Sequence, residues 1–219
     1  MRTIIIIILF FQLGYSQNTL MIDFELCRNA DHTTEFWNEY RLIKNDTIIS
    51  EHKDSSLKLS DGKYQIEYKT YFGWKKTNAF LLFGNIFFQV NLCIDKLEND
   101  SLDIYNLGIT SIKNGEKLII TNNYAGCFSE GGEKIIIERN KNSFTLIYND
   151  KKRKLKRREF DYFKEYEIEL INLNTNELNT ICTAYSQNII EYGNNKFEYS
   201  ENCPKWNGFG ILKRRLKLK

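Results

Sequence analysis

Between Thr19 and about Leu97 apolar and polar side chains alternate in short runs separated by polar turns, and a chain with a period of two buries one side of itself as β-strands. The runs fall at 19–26, 38–44, 47–50, 56–59, 63–71, 78–83 and 86–96, with a turn signal at Asn45-Asp46. Short strands so regularly spaced predict an antiparallel β-sandwich over residues 18–97. Residue usage agrees, since 27 Ile and 24 Asn stand against four Ala, one Val and one Pro. Branched and aromatic side chains lose rotamer freedom on a helix and fit a pleated surface. The skew itself resembles AT-rich codon usage, so Ile-rich and Asn-rich stretches carry no meaning as motifs.

The most specific piece runs Leu57-Lys-Leu-Ser-Asp-Gly-Lys-Tyr-Gln-Ile-Glu-Tyr-Lys-Thr-Tyr-Phe-Gly-Trp74. Asp61-Gly62 supplies a turn; Tyr64, Ile66 and Tyr68 face one way and Lys63, Gln65, Glu67 and Lys69 the other. The stretch resembles the core of transthyretin-like and carboxypeptidase-regulatory-like sandwich modules of exported bacterial proteins. Leu57, Leu59, Asp61, Gly62, Tyr64, Ile66 and Gly73 carry the resemblance, with Trp74 where those modules usually have Tyr. It implies a structural or binding appendage and supplies no chemistry.

Met1 to Gln17 reads as one basic residue, Arg2, then an apolar run from Ile4 to Phe11, then small residues at Gly14 and Ser16. This is the layout of a secretory signal peptide over residues 1–16, and its apolar run is too short to span a ~30 Å hydrocarbon core as a transmembrane anchor. No cysteine ends the run, so a lipid anchor is not expected. Cleavage after Ser16 would deliver a secreted, periplasmic or cell-surface protein, where disulfides persist.

All five cysteines lie beyond the leader, and the odd number leaves one thiol over. Apolar residues 20, 22, 24 and 26 share one strand face, as do 88, 90, 92 and 94, so Cys27 and Cys93 both fall on polar faces. If those strands are neighbours, directly opposed positions suit a disulfide. Cys182 and Cys203 bracket an expected hairpin and form the second predicted pair. Cys127, in a glycine-flanked loop, is the orphan. A nucleophilic thiol needs a nearby base or cation, and the two histidines, His32 and His52, both lie in the other half of the chain.

Residues 98–116, rich in Asn, Asp, Ser and Gly, mark a boundary before an α+β domain over 98–219, a small antiparallel sheet packed with one or two helices. Strands are expected at 117–121, 133–139, 143–149, 180–185, 188–192 and 196–200. Arg158 to Ile171 fits two patterns: Phe160, Phe163, Leu170 and Ile171 share a helical face, while Tyr166, Ile168 and Leu170 alternate with acids as in a strand. Helix is favoured because the acids avoid a helix stripe more easily than a central strand's register. Asn207 to Leu216 predicts a second helix, with a cap residue, apolar positions 209, 212 and 216, and cations at its C-terminal end. Cys203-Pro-Lys-Trp-Asn-Gly-Phe-Gly-Ile-Leu, with Phe160-x-x-Phe163 and Ile181-Cys-Thr183, is similar to C-terminal domains of uncharacterised secreted proteins of Gram-negative bacteria, which implies no activity.

Lys151, Lys152, Arg153, Lys154, Lys156, Arg157 and Arg158 put seven cations into eight residues. Such a run neutralises phosphates on nucleic acid, but export removes most such partners and leaves anionic envelope lipid, glycan or another envelope protein. The competing reading is a solvated edge strand whose lysines block edge-to-edge pairing. Tyr71, Phe72 and Trp74 offer a sugar-stacking platform or a piece of core. His32 and His52 have carboxylate neighbours without metal-ligand spacing and read as solvated turn residues. No cofactor motif and no catalytic residue is indicated, and a glycosidase carboxylate pair is recognised only in three dimensions. The reading is an exported, non-catalytic binding or accessory module, the alternatives being a secreted hydrolase or a carrier of a small apolar ligand.

Overall fold

The computed structural model describes residues 17–28, 39–97, 106–173 and 183–219. The predicted leader, His32 and Cys182 lie outside them. The chain divides into two compact units, one of Met1–Thr70 with Trp74–Ile94 and one of Tyr71–Gly73 with Asp95–Lys219.

The N-terminal region carries β1 (Asn18–Glu25), β2 (Tyr40–Lys44), β3 (Thr47–His52), β4 (Ser56–Leu59), β5 (Gly62–Thr70), β6 (Gly73–Lys76), β7 (Phe80–Leu82) and β8 (Phe87–Cys93). Strands β4-β1-β8 form one sheet and β3-β2-β5-β6 another, with β7 also paired to β5. Leu20, Ile22 and Leu92 of the first sheet and Leu42, Tyr64, Ile66, Tyr68 and Leu82 of the second are buried. Phe80 stacks on Phe88 of the other sheet at 4.9 Å between centroids. Strands β1 and β8 run parallel, Leu20 beside Phe88 and Phe24 beside Leu92, so the sandwich is mixed and not wholly antiparallel. Alternation decides which side of a strand is buried and is silent on the direction of its neighbour.

Asp61-Gly62 is likewise not a hairpin turn, because β4 and β5 belong to different sheets. It is the corner between them. The Asp61 carboxylate accepts from the Asn18 amide at 2.9 Å and the Gly84 N–H at 3.2 Å. A Cβ at Gly62 would stand 2.6 Å from Lys44 Cε, the far end of a flexible side chain that would have to move aside. The hairpin turn at Asn45-Asp46 has both residues in the left-handed region, which Asn and Asp tolerate. Strand β6 was not expected from the sequence; Gly73, at φ +103°, turns the chain into it.

The second unit carries α1 (Gly108–Ser111), β9 (Lys117–Ala125), β10 (Glu130–Asn140), β11 (Ser143–Tyr148), β12 (Lys151–Lys154), α2 (Arg157–Asn172), β13 (Tyr185–Tyr192), β14 (Asn195–Asn202) and α3 (Gly208–Leu216). The sheet order is β12-β11-β10-β9-β13-β14, every neighbour antiparallel. Leu118, Ile120, Ile135, Ile137, Leu146 and Ile190 on the sheet and Phe163, Leu170, Phe209 and Leu212 on the helices are buried. Where two strands were expected at 180–185 and 188–192, β13 is continuous from Tyr185; residues 180–182 lie outside the described ones. Asn188 is buried in β13 and accepts from Asn122 at 3.0 Å. Helix α1 lies inside the stretch read as a boundary. Helix α3 starts where Asn207 accepts the Gly210 N–H and buries Phe209, Leu212 and Leu216. Among the described residues no helix is long and apolar enough to cross a membrane.

Cys27, two residues past β1, is joined to Cys93 with the Cα atoms 5.6 Å apart. Cys93 sits opposite Glu25 in the ladder, so the bridge runs diagonally and not directly across. Cys203 is also disulfide-bonded, and Cys127 is free and exposed.

Candidate functional site

The edge of the six-stranded sheet is built by local turn chemistry. Asn149 and Asp150, both left-handed, fold β12 back on β11. The chain then buries Leu155 and enters α2. Arg153 fixes this corner: it donates to Glu159 at 2.7 Å and to the Leu216 carbonyl at the end of α3 at 3.1 Å. Glu159 also accepts the Lys156 N–H at 2.8 Å. Burial would raise the Glu159 carboxyl, but the hydrogen bonds from Arg153 and Lys156 outweigh it and hold it below its ordinary range.

Beside this corner lies an open groove of about 620 Å³. Phe144 and Phe160 meet edge to face along it at 4.6 Å. Lys154, Arg157 and Lys164 supply positive charge against one acid, Asp161, which pairs with Lys164 at 4.0 Å. Only Lys154 and Arg157 of the basic run line the groove. Lys151, Lys152, Lys156 and Arg158 are exposed outside its lining, and Arg153 is half-buried and structural. Arg157 and Arg158 open helix α2, where the helix dipole disfavours cations by about 0.3–1 kcal/mol each. A bound anion would relieve that repulsion.

The other expected candidates are dispersed. Tyr71 is buried, and the Trp74 ring is covered by the Arg41 guanidinium at 4.2 Å, so Tyr71, Phe72 and Trp74 present no flat platform. His52 is not a turn residue: it ends β3, stacks on Tyr40 at 5.5 Å and hydrogen-bonds Ser50. Among the described residues no group of three His, Cys, Asp or Glu is placed to hold a metal ion.

Sequence reasoning missed a set of buried carboxylates. The α2 acids do not avoid the core, since Glu159, Glu167 and Glu169 are all buried. Glu167 accepts the Gly108 and Ile109 N–H groups at 2.5 and 2.9 Å, and burial pushes its carboxyl up to about 7 against the pull of those two bonds. Glu169 accepts the Trp206 indole N–H at 3.2 Å. Glu201 on β14 accepts from Tyr199 at 2.7 Å and from the Lys205 and Trp206 N–H groups; burial raises it against those donors. Glu159, Glu167 and Glu201 accept backbone N–H groups that lack a ladder partner, and Glu169 accepts a side-chain indole. None of these four lines the groove. The signal lay in the stripe: with Phe163 at its centre, Glu159 and Glu167 fall four residues either side, on the same helical face.

No protein-family model, curated protein or solved structure matches this chain.

Proposed function

We propose that the protein is an exported, non-catalytic binding module of the bacterial envelope or extracellular space, and that its second unit takes an anionic ligand in the groove at the sheet edge. The observation that carries this reading is the groove itself, with Lys154, Arg157 and Lys164 around the Phe144–Phe160 pair. The fit is to a ligand with carboxylate or phosphate groups and an apolar or ring-shaped body, such as an acidic glycan. Two observations support a binding role over a hydrolytic one: the groove's lining has a single carboxylate, and the buried acids are occupied by backbone and indole donors. The leader pattern, the Cys27–Cys93 bridge and the bonded Cys203 support export. The resemblance of Leu57 to Trp74 to exported sandwich modules gives the first unit the same accessory character.

Heparin serves as the probe. Lys154→Ala, Arg157→Ala and Lys164→Ala together are expected to move elution to clearly lower salt, whereas Lys151→Ala with Lys152→Ala changes it less. Equal elution of the triple variant and the natural protein discards the groove as the site.

A further inference from the structure

Of the nine large apolar side chains exposed among the described residues, four lie within seven consecutive positions: Phe83 and Ile86 in the loop between β7 and β8, and Leu81 and Phe87 on the strand ends that flank it. Leu81, Phe83 and Phe87 are 71, 76 and 63% exposed. This loop carries the chain from β7 in one sheet to β8 in the other, across one end of the sandwich.

Its backbone is held firmly. Gly84 and Asn85 are both left-handed, so the tip is a tight turn with Phe83 and Ile86 at its shoulders. The Gly84 N–H donates to Asp61, the Ile86 N–H to the fully buried Asn18 at 3.0 Å, and the Thr19 N–H to the Ile86 carbonyl at 2.8 Å. On the inner side the half-buried Phe80 and Phe88 stack on each other. A firmly built loop that keeps its apolar side chains in water marks a docking surface, and ordering costs little on binding because the backbone is already set.

Two cations flank the same end. Lys63 is exposed beside Leu81, and Lys58 follows Thr19 and Phe87 along the outer row of the other sheet. An exposed apolar tip flanked by two lysines complements an anionic bilayer, whose headgroups take the cations while the tip enters the acyl boundary; the one acid at the loop, Asp61, is engaged by the Gly84 N–H and the Asn18 amide. We infer that the β7–β8 loop docks the sandwich onto an anionic lipid surface, with Phe83 and Phe87 as the inserting anchors. This surface belongs to the first unit and does not depend on the groove.

The test is co-sedimentation with phosphatidylcholine vesicles containing phosphatidylglycerol. Phe83→Ser with Phe87→Ser is expected to weaken partition at least tenfold while heparin elution stays unchanged. Lys58→Ala with Lys63→Ala is expected to weaken it on anionic vesicles several-fold. The single substitution Phe83→Trp, which keeps the ring, is expected to give a blue-shifted emission quenched by brominated lipid. Failure of the natural protein to partition, full partition of the serine variant, or an unquenched Trp at position 83 each overturns the inference. So does a stable dimer that the serine variant makes monomeric in the absence of vesicle binding, which would assign the loop to a second copy of the chain.

Discussion

In the sandwich the buried positions are aliphatic and aromatic, with Asn18 and Thr70 as the buried polar residues of its strands. The helix-covered sheet of the second unit also buries Glu159, Glu167, Glu169, Ser186, Asn188 and Glu201. The first unit gains its order from alternation and from the Cys27–Cys93 bridge, and the second also holds a disulfide-bonded cysteine, Cys203. The second uses carboxylates and amides as anchors for segments without ladders: Glu167 for α1, Glu201 and Glu169 for the chain before α3. Buried polar groups that are fully bonded specify one arrangement, at the risk of a large loss when one partner is removed.

The comparison is broken most severely through the bridge. Cys27→Ser with Cys93→Ser opens a loop spanning 66 residues and is expected to destabilise the first unit by about 4 kcal/mol, read as a lowered urea midpoint. A loss below about 1 kcal/mol would mean that the sheets alone hold it. Next is Ile66→Ala, a fully buried deletion on β5, expected to cost about 3 kcal/mol. Glu201→Ala tests the other unit by leaving the Lys205 and Trp206 N–H groups unpaired, at about 2 kcal/mol. If Glu201→Ala is neutral, the anchoring role assigned to the acids fails.

Glu167 sharpens the contrast through pH. Its folded carboxyl is raised from 4.5 to about 7. Below the unfolded value both states hold the proton and its burial carries no charge penalty. As pH climbs through the folded value, stability is lost, on the order of 2 kcal/mol. Urea unfolding at pH 5 and pH 8 is expected to show this loss, and Glu167→Gln to remove most of it. An identical pH difference in both proteins would place the carboxyl in contact with water. The smallest effect separates the cations of the basic run: Arg153→Ala is expected to cost about 1 kcal/mol through its bonds to Glu159 and Leu216, and Lys152→Ala less than about 0.5 kcal/mol. Equal costs would remove the distinction between the structural arginine and the solvated lysines.

Much of the sandwich was legible because a strand's two faces differ in solvation, and Tyr64, Ile66 and Tyr68 state that difference in every second residue. The same parity put Cys27 and Cys93 on corresponding faces. The groove was half legible. The run from Lys151 to Arg158 announced charge, and β12 is indeed the sheet's edge strand. Phe144, Asp161 and Lys164 join Lys154 and Arg157 only because a two-residue turn and a helix start bring them together. The acids of α2 misled because charge was equated with exposure, although a carboxylate with two N–H donors can be buried.

What the sequence by itself determined is the period of each segment, the face each side chain takes and the points where the chain must turn, since these depend on neighbours within a few residues. Only the tertiary structure decided that β1 and β8 run parallel, that Asp61 braces a loop more than twenty positions away, and that Glu167 caps a helix 59 positions before it. Those outcomes depend on which unsatisfied donor meets which acceptor once distant segments are packed, and local alternation carries no record of that meeting.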